Sequence, residues 1–170
     1  VFLSFLPASH VYEHTVGQYL PVAIGAQIYY LANASQVTAN LPEVRPSILI
    51  AVPRFFETMH RKISQEMERR GPIGRGLFSA ALDLGRRRLT GNRLSPLEKV
   101  ADRFLDRIVR DKVRARFGGR LKAIVSGGAP ISPELVLFFH AVGLRLLQGY
   151  GLTEASPVVT ANPPFQVKFD

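Results

Sequence analysis

Short runs of consecutive apolar residues alternate along the chain with stretches in which apolar positions recur every three or four residues. The short runs, at residues 2–6, 26–30, 48–52, 121–126 and 144–148, are rich in β-branched and aromatic side chains and are bounded by Gly, Pro or Asn, so they predict five strands. Between them the pattern predicts short helices over 13–22 and 36–44, and a clear one from Ser132 to about residue 142. Ser132 suits the N-cap, Pro133 the first helical position, and Gly143 the left-handed residue beyond the end. Strands alternating with helices point to βαβ units and hence to an α/β fold, a mainly parallel sheet with flanking helices.

Residues 54–120 break this alternation with helical pattern alone. One helix is predicted over 54–69 after Pro53, a second over 74–89 after the Gly71-Pro72 break, and a third from the Ser95-Pro96-Leu97-Glu98 cap to Gly118-Gly119. The same segment holds the charge. It carries eighteen Lys and Arg against eight Asp and Glu, while the rest of the chain carries four against five, so the net charge of +9 belongs to one basic helical excursion. Charge alone would suit a nucleic-acid-binding module built on Arg86-Arg87-Arg88 and the arginines from Arg103 to Arg120. No nucleic-acid fold signature accompanies it, and Arg103, Arg107, Arg110 and Arg114 interleave with Asp102, Asp106 and Asp111 as on a solvated, salt-bridged helix face. No nucleic-acid partner is expected. A basic surface of this kind could instead meet an anionic membrane surface.

At 170 residues the chain has the size of one ordinary domain, and 46% hydrophobic with 21% charged residues excludes a disordered or fibrous protein. The absence of Cys excludes a disulfide scaffold, a thiolate metal site and a cysteine nucleophile. The first residues carry no initiator Met, charged n-region or cleavage site. The longest weakly polar stretch, 19–34, contains Pro21, Gly25, Gln27 and Asn33 and is shorter than a bilayer span. Neither a signal peptide nor a transmembrane helix is expected, which leaves a cytoplasmic location with membrane association at most. The chain starts inside a strand and stops at Asp170 soon after Asn162-Pro163-Pro164, without an element to close the fold, so a fragment of a longer protein is expected.

The densest chemistry is Gln148-Gly149-Tyr150-Gly151-Leu152-Thr153-Glu154, directly after a predicted strand. Two glycines around a Tyr let backbone approach a ligand while the ring stacks on a flat base. Thr153 offers a hydroxyl for a phosphate oxygen, and Glu154 a carboxylate for the Mg²⁺ that accompanies it. The plain alternative is a hairpin or turn with an exposed Thr-Glu. A second glycine corner, Ser126-Gly127-Gly128-Ala129-Pro130, precedes the Ser132-capped helix; it reads either as a ligand-facing loop or as a tight βα turn. The two corners end consecutive strands joined by one helix, so adjacent strands would open both loops on one edge of the sheet.

Together with Leu6-Pro7-Ala8-Ser9-His10-Val11-Tyr12-Glu13, Ala51-Val52-Pro53-Arg54-Phe55-Phe56-Glu57 and Ser156-Pro157-Val158-Val159, these segments resemble the AMP-forming acyl-CoA synthetases, most closely their long-chain fatty-acid branch. The resemblance runs over nearly the whole chain and is weakest between about residues 66 and 98. It implies part of an adenylation domain spanning 1–170, and a two-step reaction in which a fatty acid and ATP form an acyl-adenylate that coenzyme A converts to acyl-CoA. Carried over, Gly128, Ala129 and Pro130 line the adenine side and Tyr150 stacks on the base. Gln148, Gly149, Gly151 and Leu152 complete the nucleotide loop. Thr153 bonds the α-phosphate, Glu154 holds Mg²⁺, and His10 lies beside the carboxylate at the mouth of the acyl pocket, where Val11 and Tyr12 also belong. The family's Ser/Thr/Gly-rich phosphate loop, its ribose-binding Asp and its C-terminal Lys have no counterpart here, which implies that the 170 residues are inactive alone.

Two other patterns compete. Gly71-Pro72-Ile73-Gly74-Arg75-Gly76 spaces two glycines as a phosphate loop does, but Leu77 stands where Lys is needed, so a helix-to-helix turn is expected. His10-Val11-Tyr12-Glu13-His14 spells the H-x-x-E-H of an inverted zincin, which would make the protein a zinc metalloprotease. Pro7 puts His10 in a loop or at a helix start, and nothing marks which of Glu43, Glu57 or Glu66 would be the third ligand.

Overall fold

The five apolar runs form the strands β1 (Phe2–Ser4), β2 (Ile28–Tyr30), β3 (Ile48–Ala51), β4 (Ala123–Ser126) and β5 (Leu146–Gly151). In the computed structural model, which describes residues 1–163, these five are parallel and a sixth strand, β6 (Val158–Ala161), runs antiparallel to β5. The order across the sheet is β2-β1-β3-β4-β5-β6. The expected α/β class is therefore observed, with one strand more than predicted. All four residues of β6 are exposed, so no inward alternation marks it in the sequence; its pairing with β5 makes it a strand. The chain end from Pro164 to Asp170, where no closing element was expected, lies outside the described residues.

Alternation within the strands divides the apolar side chains between two layers. Leu3, Leu49, Ala51, Ile124 and Leu146 join the main core with α3 (Pro53–Arg69), α4 (Gly71–Leu89) and α7 (Pro133–Ala141), whose Phe56, Met59, Ile63, Phe138 and Phe139 are buried there. The cap predicted for α7 is present, with Ser132 Oγ accepting from the Leu135 N–H at 3.3 Å and Gly143 at φ 83° beyond the end. Helices α4 and α7 meet backbone to backbone: a Cβ on Gly85 would lie 2.6 Å from the Ala141 carbonyl oxygen. The shorter α2 (Val37–Val44) adds Val37 and Leu41 to the same core.

On the other face Phe2 and Ile50 pack against Tyr12, from the helical run that follows β1. This run is π-helical over Glu13–Tyr19 before a single α-helical turn, α1 (Leu20–Ala23). Glu13 points inward and is buried. It accepts a 2.5 Å hydrogen bond from Ser4 Oγ, to which Gln18 Nε2 donates in turn at 3.0 Å. Burial raises the Glu13 carboxyl pKa above its ordinary value, outweighing the hydrogen bonds from Ser4 and Gln18 and the charge of His10.

The basic excursion holds the three predicted helical runs, with two corrections. The second begins at Gly71 and not at residue 74: Gly71 turns the corner at φ 73°, and Pro72 sits in the first turn, where its missing N–H costs nothing. The run Gly71–Gly76 is thus the start of α4 rather than a turn between helices. The third opens with the expected capping box, Ser95 with Glu98, but runs as α5 (Pro96–Leu105), a π-helical stretch over Asp106–Arg110, and α6 (Asp111–Arg116). The π-helical stretch offsets the helical register. The expected solvated face is overturned at Arg110, which is fully buried and donates to Asp102 Oδ1 at 2.6 Å and to the Ala81 carbonyl at 2.5 Å. Arg88 reaches the same carboxylate at 3.1 Å, and Arg87 holds Glu98 at 2.6 Å. The Arg88–Asp102 and Arg87–Glu98 pairs therefore lie between helices and staple α5 to α4, whereas Arg114 pairs with Asp106 and Asp111 along its own run, as on the expected salt-bridged face.

Two outcomes follow for unfolding of the protein. Asp102→Ala strands a buried guanidinium and should cost about 3–5 kcal/mol, whereas Asp102→Leu combined with Arg110→Met should cost less than either single change. Denaturant titration checks this, and a double variant as unstable as the singles would mean that packing and not charge governs the staple. Glu13 has a folded-state pKa above its unfolded one. Its contribution is therefore complete below the unfolded value of about 4.3 and is lost as pH rises through the raised value. Glu13→Gln should flatten that decline in melting temperature, and an unchanged pH profile would remove Glu13 as its source.

Candidate functional site

Strands that run parallel deliver their carboxyl ends to one edge of the sheet, and that edge is where the chemistry-bearing loops meet. Strands β4 and β5 are neighbours with Ser126 opposite Gln148, so the two glycine corners open side by side as expected. From the end of β1 the chain turns through Pro7 and brings His10 and Tyr12 to the same place.

Tyr12 ties these segments together. Its hydroxyl donates to the Val125 carbonyl at 3.2 Å, and its ring lies so close to Gly127 that a Cβ there would approach it to 2.8 Å. Burial, with a smaller effect from Glu13, raises the hydroxyl pKa, so Tyr12 stays a neutral donor. His10 opens the helical run. Its Nδ1 accepts from the Tyr12 N–H at 3.1 Å, which leaves the proton of the neutral ring on Nε2. Gly128 follows at φ 82°, a left-handed conformation that side chains resist.

The second corner departs from the expected loop. Strand β5 does not stop at Gln148 but continues through Gly149, Tyr150 and Gly151, because β6 returns alongside it; Tyr150 pairs with Thr160, and the register shifts between Tyr150 and Gly151. The hairpin of the plain alternative is present. A Cβ on Gly151 would collide with the Pro157 carbonyl, so glycine is required where the hairpin closes. Asn162 clamps the base of the hairpin, its Oδ1 accepting from the Gln148 N–H at 2.8 Å and its N–H donating back to the Gln148 carbonyl at 2.9 Å. At the tip Leu152, Thr153 and Glu154 are exposed, the last two in a 3₁₀ turn over Thr153–Ala155. Tyr150, 60% exposed, presents its ring between the two glycines.

Two cavities flank this strand. One of about 460 Å³ is lined by His10, Tyr12, Gly127, Leu152, Thr153 and Glu154, among others; the second, of about 690 Å³, is lined by Ala129, Pro130, Gln148, Thr160 and Asn162. Gly128, Gly149, Tyr150, Gly151 and Ala161 border both. All the residues singled out in the sequence thus gather at one edge of the sheet, in two chambers and not one. Val16, Val125, Thr160, Ala161 and Asn162 were missed as lining residues, and Pro157 and Val158 stood in a quoted segment that was given no lining role. Only Asn162, a polar residue before a Pro pair, carried any local signal.

The zincin pattern assembles no metal site. Glu13 is turned inward to Ser4, and among the described residues no group of three His, Cys, Asp or Glu side chains could hold a metal. The arginine cluster offered for nucleic acid divides between Arg87 and Arg88, paired across helices, the buried Arg110, and exposed Arg103 and Arg107. Among the relatives neither alternative finds support.

Residues 1–169 match the family model described as AMP-binding enzyme. The chain is 32% identical over 162 residues to long chain acyl-CoA synthetase 6, peroxisomal, of Arabidopsis thaliana, covering 94% of this chain and 22% of that protein. It is 33% identical over 169 residues to putative fatty-acid–CoA ligase fadD11 of Mycobacterium tuberculosis, covering 95% and 29%. It therefore spans less than a third of the length of these relatives. Among solved structures, the A domain of carboxylic acid reductase from Segniliparus rugosus, in complex with AMP and a co-purified carboxylic acid, superposes with a TM-score of 0.65 at 26% identity, covering 95% of this chain and 22% of that one. A parallel sheet whose strand ends gather these loops, matched from the first residue to the last but one, places the chain in the family of AMP-binding enzymes.

Proposed function

We propose that the protein containing this chain activates long-chain fatty acids, as an AMP-forming fatty-acid–CoA ligase of which residues 1–170 form part of the adenylation domain. The observation that carries the reading is the pair of chambers sharing one wall of Gly128, Gly149, Tyr150 and Gly151. With adenine in the second chamber, the phosphates would pass the shared wall and meet the fatty carboxylate in the first, which His10, Thr153 and Glu154 all line. In this reading adenine lies on the side of Ala129, Pro130 and Gln148 and stacks on Tyr150, with Gly128, Gly149 and Gly151 admitting its close approach. Thr153 and Glu154, at the hairpin tip with Leu152, face the phosphates, and His10 faces the fatty carboxylate through its Nε2–H.

The fatty carboxylate oxygen forms a bond to the α-phosphorus of ATP as the bond to the bridging oxygen breaks, and pyrophosphate leaves. The thiol sulfur of coenzyme A then attacks the acyl carbon, its proton passes to solvent, and AMP departs. Donation from His10 Nε2–H orients the carboxylate, and the Thr153 hydroxyl donates to an α-phosphate oxygen. Glu154 is an exposed carboxylate, and among the described residues no group of three His, Cys, Asp or Glu side chains forms around it, a donor set that fits Mg²⁺ retaining water and phosphate oxygens but not a tightly caged ion. When held there, Mg²⁺ supplies positive charge against the departing pyrophosphate. The proposal extends to a cytoplasmic location; among the described residues no helix is long and apolar enough to cross a membrane.

In the complete parent, Glu154→Gln should slow pyrophosphate release by about 10²–10³-fold while leaving fatty-acid binding by calorimetry nearly unchanged. Equal rates for variant and parent would overturn the metal role. The 170 residues alone, given ATP, Mg²⁺, palmitate and coenzyme A, should release no measurable pyrophosphate, because the preorganised groups that grip the outer phosphates are outside them. Robust release would show that the reaction needs fewer residues than this reading assigns.

A further inference from the structure

The β5–β6 ladder ends on a side chain. Gln148 and Asn162 face each other one step beyond the Gly149–Ala161 pair, and Pro163, which has no N–H to carry the ladder on, comes next. The Asn162 N–H donates to the Gln148 carbonyl at 2.9 Å, while the return bond, from the Gln148 N–H, goes to Asn162 Oδ1 at 2.8 Å. That bond fixes which end of the amide is which. A backbone N–H only donates, so the atom facing it is the oxygen, and the Nδ2 amino group is turned away with no hydrogen-bond partner among the described residues. Asn162 is half-buried and lines the second chamber with Gln148, Tyr150 and Thr160. Cross-strand pairs share a face and so do alternate residues of a strand, so these four stand on one side of the hairpin, with Asn162 about 7 Å along β6 from the Tyr150–Thr160 pair.

We propose that Asn162 reads the base of the nucleotide, its Nδ2 amino group donating a hydrogen bond to a ring nitrogen of the purine stacked on Tyr150. The inference rests on the ligase reading, from which it takes the adenine side of the site, and adds to it a residue that determines specificity. Each edge of adenine offers a ring nitrogen that accepts, N1, N3 or N7, while the exocyclic amine only donates. An unconstrained amide turns over to suit either group. Asn162 cannot, because its oxygen is committed to the Gln148 N–H, so the position is a donor only. The side-chain amide of Gln148 makes no hydrogen bond among the described residues and is free to adapt beside it. One residue thus closes the hairpin with one end of its amide and faces the ligand with the other, and a donor held in this way discriminates because a base without an acceptor there leaves it unpaired.

Calorimetric titration of the protein containing this chain with ATP and with its 1-deaza, 3-deaza and 7-deaza analogues tests the proposal. Each analogue replaces one ring nitrogen by C–H and leaves the phosphates unchanged. One of the three should bind about tenfold more weakly than ATP. Asn162→Asp keeps an oxygen facing the Gln148 N–H, and with it the hairpin, but removes the donor. Its melting temperature should not move, and the disfavoured analogue should now bind as ATP does; the new carboxylate repels all four nucleotides alike, so its charge cancels in the comparison. In pyrophosphate release Asn162→Asp should raise KM for ATP at least about tenfold and leave KM for the fatty acid unchanged. Asn162→Ala removes donor and clamp together and should lower the melting temperature as well. Equal affinity of the unaltered protein for ATP and all three analogues would overturn the proposal without recourse to any variant, and so would a preference that survives Asn162→Asp. A protein that releases pyrophosphate yet shows no such preference overturns this inference alone, whereas one that binds no nucleotide overturns the ligase reading and this inference with it.

Discussion

Parallel pairing of β1, β3, β4 and β5 is the constraint on which the other features depend. Strands that point the same way need crossovers of a dozen or more residues to return, and those crossovers must lie on the faces of the sheet. The loops that leave the carboxyl ends of these strands then emerge together at one edge. The residues with chemistry sit there because the backbone hydrogen-bond ladder puts Ser126 opposite Gln148 and continues through Ala51 and β1. Tyr12 completes the edge by linking the first loop to the end of β4, so that residues more than a hundred positions apart in sequence share one wall.

The helical excursion between β3 and β4 is held differently. A crossover of some seventy residues far exceeds what is needed to join two adjacent strands, and its outer helices lie too far from the sheet to be fixed by it. Aromatic packing of Phe78 on Phe138 secures α4. The outermost run packs Leu105, Val109 and Val113 into the core and is anchored besides by Asp102, Arg110 and the carbonyl of Ala81. A buried guanidinium is a costly anchor, but it is a directional one. It fixes which side of α5 faces in, and apolar residues are left on the outside as a consequence.

How much of this was legible in the sequence follows from what each signal measures. Strands β1 and β3 to β5 were visible because burial under helices keeps them apolar along their length, and the caps at Ser95 and Ser132 because capping is local chemistry. Strand β6 was invisible: its four residues are exposed, and only its partner makes it a strand. The same pairing carried β5 three residues beyond its apolar run and turned an expected loop into one arm of a hairpin. Arg110 was misread because alternating charge has the same signature whether the pairs lie in solvent or between helices, and only the neighbouring Ala81 carbonyl distinguishes the two. At the site, Gly128, Tyr150 and Thr153 belonged to motifs, whereas Val125 and Thr160 reach the chambers through tertiary placement that leaves no local trace.

The hairpin also explains why the site has two chambers. A loop crossing that edge would carry side chains into both spaces and separate them by at least a side-chain width. A strand with glycine on either side of one aromatic ring leaves little side-chain bulk where a nucleotide would pass from one space to the other, and β6 with Asn162 keeps it extended. Reaction between two bound molecules requires near contact, and misplacement of about 1 Å can cost ~10²-fold in rate. In the proposed ligase glycines at 149 and 151 admit the nucleotide closely, Gly151 is required besides by the Pro157 carbonyl, and the rigidity comes from pairing with β6, whose Thr160 and Asn162 themselves line the second chamber.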